Sequence, residues 1–166
     1  MTKEELIKII DKAFDGVEQP KDITIHVAEA HDEYDYEHDK EHRIKDYFGP
    51  WQKVPSEHIK KCQSALSYVD KIGMRYYLPA YMTWYLKNFG NTDEVMFDHA
   101  LYTLDNHAND TELSKYFKER FSLFNPDQLN ACALFVKYCA QDNTGFTDTD
   151  FAKKKYERYW KQYEEI

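Results

Sequence analysis

The sequence has little of what breaks a helix or turns a strand: five glycines and five prolines in 166 residues. Sandwiches and barrels draw on both residues at their many turns, so this scarcity argues against an all-β fold. Cysteine is scarce too. Cys62, Cys132 and Cys139 are odd in number and have no metal-like spacing. On a shared helix Cys132 and Cys139 stand about 10 Å apart, too far to pair. They are expected to be small, reduced core residues, as in a cytoplasmic protein. A membrane span needs about 20 nearly uncharged residues. The most apolar stretch, from Ile72 to Phe89, is interrupted by Arg75, Pro79 and Lys87. The opening Met1-Thr2-Lys3-Glu4-Glu5 enters a helical pattern directly, so no secretory signal is expected. Positive charge is in deficit, with 22 basic against 30 acidic side chains and a net charge of −8. Duplex nucleic acid and anionic membranes select basic surfaces, so neither is expected as the main partner. A Gly-rich phosphate loop and a Gly-x-Ser-x-Gly elbow are both missing. Nucleotide binding and serine hydrolysis of the usual kinds are therefore not expected.

Aromatic residues are plentiful, with 14 Tyr and 10 Phe among the 16% that are aromatic. That content, on a chain of this length, predicts one packed domain over residues 1–166. Thr2 with Glu5 forms a capping box ahead of the apolar stripe Leu6, Ile9, Ile10, Ala13 and Phe14. Thr24-Ile25-His26-Val27 reads as a short extended piece, and residues 28–47 as a helix that is polar nearly all round. Phe48-Gly49-Pro50-Trp51 ends it, with Trp51 as an aromatic anchor. Ser56 reads as the cap of a helix with Ile59, Cys62, Leu66 and Val69 inward. In the next helix Leu78, Met82, Tyr85 and Phe89 form one apolar row, and Tyr77, Tyr81 and Trp84 another. Such a helix belongs at the centre, and Pro79 predicts a kink or a new start within it. Thr92 reads as a further cap, before Val95, Met96, Leu101 and Leu104. Thr111 opens a helix with Leu113, Tyr116 and Phe117, and Asn125-Pro126 another with Leu129, Cys132 and Val136. Thr147 starts the last, docked by Ala152, Tyr156, Tyr159 and Tyr163. The expected fold is all-α: a single-domain bundle of about seven to eight helices around an aromatic-rich core.

The run Tyr77-Leu78-Pro79-Ala80-Tyr81-Met82 resembles the core motif of a family of small bacterial proteins of unknown function. In that family a Glu, a Trp and a helix carrying Ala-Leu precede the core, and Glu29, Trp51 and Ala65-Leu66 stand in those places. A later helix with Gln128, Val136 and Tyr138 is similar as well, so that the resemblance covers roughly residues 5–140. It implies no catalytic residues. In size and acidity the members resemble the immunity proteins of bacterial toxin systems.

One segment is unusual in its own right. From Glu29 to His42 it holds seven carboxylates (Glu29, Asp32, Glu33, Asp35, Glu37, Asp39 and Glu41) and three histidines. Like charges at i,i+4 oppose a helix, so the run is locally unfavourable. It reads either as a solvated face or as a surface that enters the basic cleft of a partner, with Tyr34 and Tyr36 as anchors. On a continuous helix His31, Asp35, His38 and His42 share a stripe, and His38 with His42 has the i,i+4 spacing of many zinc sites. The stripe spans about 16 Å, too long for one ion. A third ligand must come from elsewhere, such as His26, His58, His99 or Asp98, and the sequence places none of them there.

The leading expectation is a non-enzymatic, cytoplasmic immunity or inhibitor protein without cofactor. It binds a basic toxin domain through Glu29, Asp32, Glu33, Tyr34, Asp35, Tyr36, Glu37, Asp39 and Glu41. The alternative is a metal-binding protein or enzyme that uses His38 and His42.

Overall fold

Helix follows helix along the chain. The computed structural model describes residues 1–91 and 98–164. It contains α1 (Lys3–Ala13), α2 (Ile25–Asp32), α3 (Asp39–Arg43), α4 (Ser56–Lys61), α5 (Lys71–Asn88), α6 (His99–Tyr102), α7 (Thr111–Arg120), α8 (Pro126–Ala140) and α9 (Thr149–Arg158). Short 3₁₀ turns lie at Trp51–Lys53, Ala65–Ser67 and Trp160–Tyr163, and no strand occurs among the described residues. The all-α expectation holds, with nine helical segments among these residues, six of them seven residues or longer.

Local chemistry sets most helix ends. Thr2 and Glu5 form the expected capping box, and Asn125 with Gln128 forms a second one behind Pro126. Thr111 is the first residue of α7, where the Asp110 carboxylate accepts from the Leu113 N–H at 2.9 Å. The last helix starts at Thr149 rather than Thr147, because Asp148 accepts from the Phe151 N–H at 3.1 Å. A carboxylate adds charge to the capping bond at the positive helix end. Ser56 makes no side-chain cap and follows Pro55 as the first residue of α4. The cap expected at Thr92 and the inward Val95 and Met96 lie outside the described residues.

Helix α5 is the axis of the fold and buries twelve of its eighteen residues, so it needs neighbours on every side. α1, α4, α6 and α7 pack on it, and α8 bridges α1 and α9. It runs unbroken through Pro79, so no new helix begins there. The burial of Tyr76, Tyr77, Leu78, Ala80 and Tyr81 around the proline offsets its missing N–H. Deep inside, tyrosine and tryptophan need polar partners. Tyr76 Oη donates to the Gly49 carbonyl at 2.6 Å and Tyr81 Oη to the Cys62 carbonyl. Trp51 Nε1 donates to the Phe14 carbonyl and Trp160 Nε1 to the Leu104 carbonyl, each at 2.8 Å. Phe117, Phe121, Phe124, Tyr159 and Trp160 meet in one aromatic cluster, Phe117 and Phe121 stacked and most of the other pairs edge to face. All three cysteines are free and buried.

Two expectations for the N-terminal third are corrected. Thr24–Val27 is not extended: Thr24 is the N-cap of α2, and Ile25, His26, Val27 and Ala28 are buried in its first turns. With no strand to pair with, the β-branched residues satisfy their backbone in a helix instead. Residues 28–47 do not form one helix either. α2 stops at Asp32, Tyr34 turns into the left-handed region at φ 62°, and the chain resumes as α3 at Asp39. The Asp35 N–H bonds the Ala30 carbonyl at 2.9 Å and the Tyr34 N–H the His31 carbonyl at 3.1 Å. This is the Schellman closure of a helix end, with tyrosine at the position that favours glycine. Crowded carboxylates disfavour continuing the helix, and the reversal relieves them.

Tyr34→Gly removes the cost of holding a side chain in that left-handed position. Chemical denaturation is expected to show a gain of about 1 kcal/mol in unfolding free energy. A loss of stability contradicts the assignment of strain to Tyr34.

Candidate functional site

The reversal at Tyr34 folds the acidic segment back on itself and makes Asp35 its hub. One carboxylate oxygen, Oδ1, sits 2.8 Å from His38 Nδ1, and the other, Oδ2, sits 2.8 Å from His42 Nε2. Oδ1 also accepts from the Glu37 N–H at 3.3 Å. Beside this hub, His31 Nε2 lies 2.8 Å from Asp39 Oδ1, and the His31 and Tyr36 rings meet with centroids 4.7 Å apart. Three residues of the expected stripe, Asp35, His38 and His42, therefore do meet, through a turn between two helices and not through helical spacing, while His31 pairs with Asp39 instead. Both imidazoles of the alternative metal assignment, His38 and His42, direct a nitrogen at Asp35. Hydrogen bonds from His42 and then His38 hold the Asp35 carboxyl well below its ordinary value. The same bond to Asp35, with nearby Glu41 and Glu37, raises His38 above its ordinary 6.5.

The remaining residues of the expected contact divide into two groups. Glu29 faces the protein: its carboxylate accepts from the Ser64 N–H at 2.9 Å, and burial raises its pKa. Asp32 lies beside the Tyr68 hydroxyl and pushes that phenol up to about 12. Glu33, Tyr34, Tyr36, Glu37 and Glu41 are exposed. Two apolar side chains that the sequence did not single out, Ile44 and Phe48, are exposed beyond α3. The Arg43 guanidinium donates to the Asp22 carbonyl at 3.1 and 2.7 Å and anchors this end of the segment. The only hint of Ile44 in the sequence is an apolar residue within a polar stretch.

Beneath the surface lies a polar group of a different kind. His26 Nδ1 is 2.7 Å from Asp46 Oδ1, and the Asp46 side chain is only 1% exposed. The His26 and His58 rings meet edge to face with centroids 4.8 Å apart. Asp46 Oδ2 and His58 Nδ1 are buried with no hydrogen-bond partner. One ligand atom from each of His26, Asp46 and His58 lies within 4.8 Å of the other two, and no other such trio occurs among the described residues. Burial, then the neighbouring His26, lowers the pKa of His58. Two of the histidines considered as third ligands thus meet each other, with a carboxylate 20 residues from one and 12 from the other.

The pH dependence of the surface network follows from its shifts. Asp35 is lowered, so its contribution is present above about 3.8 and is lost as pH falls. His38 is raised, so its contribution is full below about 6.5 and is lost as pH rises through its folded value. The network is therefore tightest between these limits. In an NMR titration the His38 ring is expected to have its midpoint above 6.5 and to fall back toward that value in Asp35→Asn. An unchanged midpoint contradicts Asp35 as the hub.

No curated protein and no solved structure matches the chain. A family model, described as a family of unknown function, matches residues 2–164. That span takes in every element from α1 to the closing 3₁₀ turn, and by it the chain belongs to the family of unknown function DUF6714.

Proposed function

We propose that the protein is a non-enzymatic binding protein whose residues 32–48 form the surface it offers to a cationic protein partner. One observation carries this reading. The four most exposed large apolar side chains among the described residues are Tyr34, Ile44, Phe48 and Tyr36, at 84%, 80%, 60% and 58%. All four fall in one stretch, together with the exposed carboxylates Glu33, Glu37 and Glu41. Aromatic anchors ringed by charge are the composition of a protein interface. Apolar side chains exposed singly are ordinary on a surface, whereas here the four most exposed are gathered within fifteen residues of chain. Tyr34 adds to this, because backbone strain collects at functional sites.

The physics of association fits the same reading. With a net charge of −8, the chain attracts a basic partner over distance and sets its orientation. Asp35 and Asp39 are pinned by histidines, so part of the surface is ordered before contact and less entropy is lost on binding. In its most specific form the partner is a basic toxin domain in the cytoplasm. The acidic segment occludes the basic cleft, with no chemistry on a substrate and no cofactor in the act of inhibition. No described helix is long and apolar enough to cross a membrane.

The test reverses the exposed charges and leaves the hub intact: Glu33→Lys, Glu37→Lys and Glu41→Lys together. In affinity capture from the native source, wild type is expected to retain a single basic protein at low salt. The triple variant, folded by circular dichroism, is expected to lose it. Tyr34→Gly is expected to bind less while being more stable. Equal retention by all three proteins, or none by wild type at high bait concentration, overturns the assignment.

A further inference from the structure

We infer that His26, Asp46 and His58 form a binding site for one divalent transition-metal ion, zinc foremost, that fastens α2, α4 and the chain after α3 together. The sequence predicts no cofactor, and the three residues have no motif spacing that announces one. They come from three separate elements: His26 from the first turn of α2, Asp46 from three residues beyond α3, and His58 from the middle of α4.

Two features of the trio point to an ion. Buried polar atoms nearly always have partners, yet Asp46 Oδ2 and His58 Nδ1 are both buried without one. Each is an atom of a kind that ligates metals, and both sit on residues of the same trio. The geometry fits as well. Bonds of about 2.0–2.1 Å to a tetrahedral ion leave the ligand atoms roughly 3.4 Å apart. The observed separations bracket that value, from 2.7 Å between His26 and Asp46 to no more than 4.8 Å across the trio. Small side-chain rotations are enough to close the set. Two imidazoles and one carboxylate suit borderline divalent ions and not calcium or magnesium, which prefer oxygen. On binding, the ion takes the place of the hydrogen between His26 Nδ1 and Asp46: a neutral His26 then carries its hydrogen on Nε2, and an imidazolium releases one proton to solvent.

The burial of His26 and Asp46 gives the ion a structural part, with the fourth position that three protein ligands leave open taken by water. Its consequence is mechanical. Asp46 lies between Ile44 and Phe48, so an ion held there fixes the stretch that presents both. The site is chemically separate from His38 and His42, which face Asp35.

Protein expressed without a polyhistidine tag is stripped with chelator and titrated with Co²⁺. One equivalent is expected to produce the visible d–d band of a low-symmetry site, and Zn²⁺ is expected to abolish it. His58→Ala is expected to lose the band, and the double variant His38→Ala, His42→Ala to keep it. A measurement on wild type alone guards against a variant that fails to fold: one equivalent of Zn²⁺ is expected to raise the thermal midpoint by several degrees, and chelator to reverse it. Neither band nor stabilisation in wild type overturns the site. So does a band that survives in folded His58→Ala and vanishes in the double variant.

Discussion

A helix without a polar face must be enclosed, and the rest of this fold follows from enclosing α5. Its tyrosines add a second demand, because each carries a hydroxyl into the core. Tyr76 reaches the Gly49 carbonyl, Tyr81 the Cys62 carbonyl and Tyr85 the Asp98 carboxylate. Irregular segments are thereby drawn onto a regular axis. The link from Tyr76 to Gly49 fixes where the chain leaves the acidic segment. Trp51, bonded to the Phe14 carbonyl two residues later, fixes it again. Short helices and loops hold their places because α5 supplies anchor points along its length.

The same anchoring sets up an inversion at residues 44–48. Folding ordinarily places apolar side chains inside and charge outside. Here Asp46 is buried, while Ile44 and Phe48 on either side of it are exposed. A single domain gains nothing by that order, and conflicts of this kind concentrate at functional sites. The inversion is coherent when the outward side chains meet a partner and the inward carboxylate meets two imidazoles. Tyr34 repeats the conflict at the other end of the segment, with an exposed aromatic residue in a backbone position suited to glycine.

Helices α1, α5, α8 and α9 were legible in the sequence, with the Thr2–Glu5 capping box, the Asn125-Pro126 helix start and the buried cysteines. Their signal is local, since periodicity and caps lie within a few residues of one another. Residues 24–47 were misread for the same reason. Helix-compatible composition gives no sign of a Schellman reversal at a tyrosine, and β-branched Ile25 and Val27 read as extended although packing makes them helical. The acidic segment itself was legible as composition, but the division of its carboxylates was not. Glu29 turns inward to Ser64 while Glu33 stays outside, a difference that depends on the distant 3₁₀ turn at Ala65–Ser67. The His26–Asp46–His58 trio was out of reach, because its members meet only after three elements have packed. Ile44 and Phe48 carried no signal beyond their chemical type.

The central claim is that residues 32–48 form an ordered, preformed surface in the free protein. Amide hydrogen exchange on the isolated chain between the ordinary values of Asp35 and His38 tests it most directly. The amides of Asp35, Glu41 and His42 bond the Ala30 and His38 carbonyls, so they are predicted to exchange far more slowly than an unstructured chain. Exchange at unstructured rates across the segment, with α5 still protected, contradicts the account.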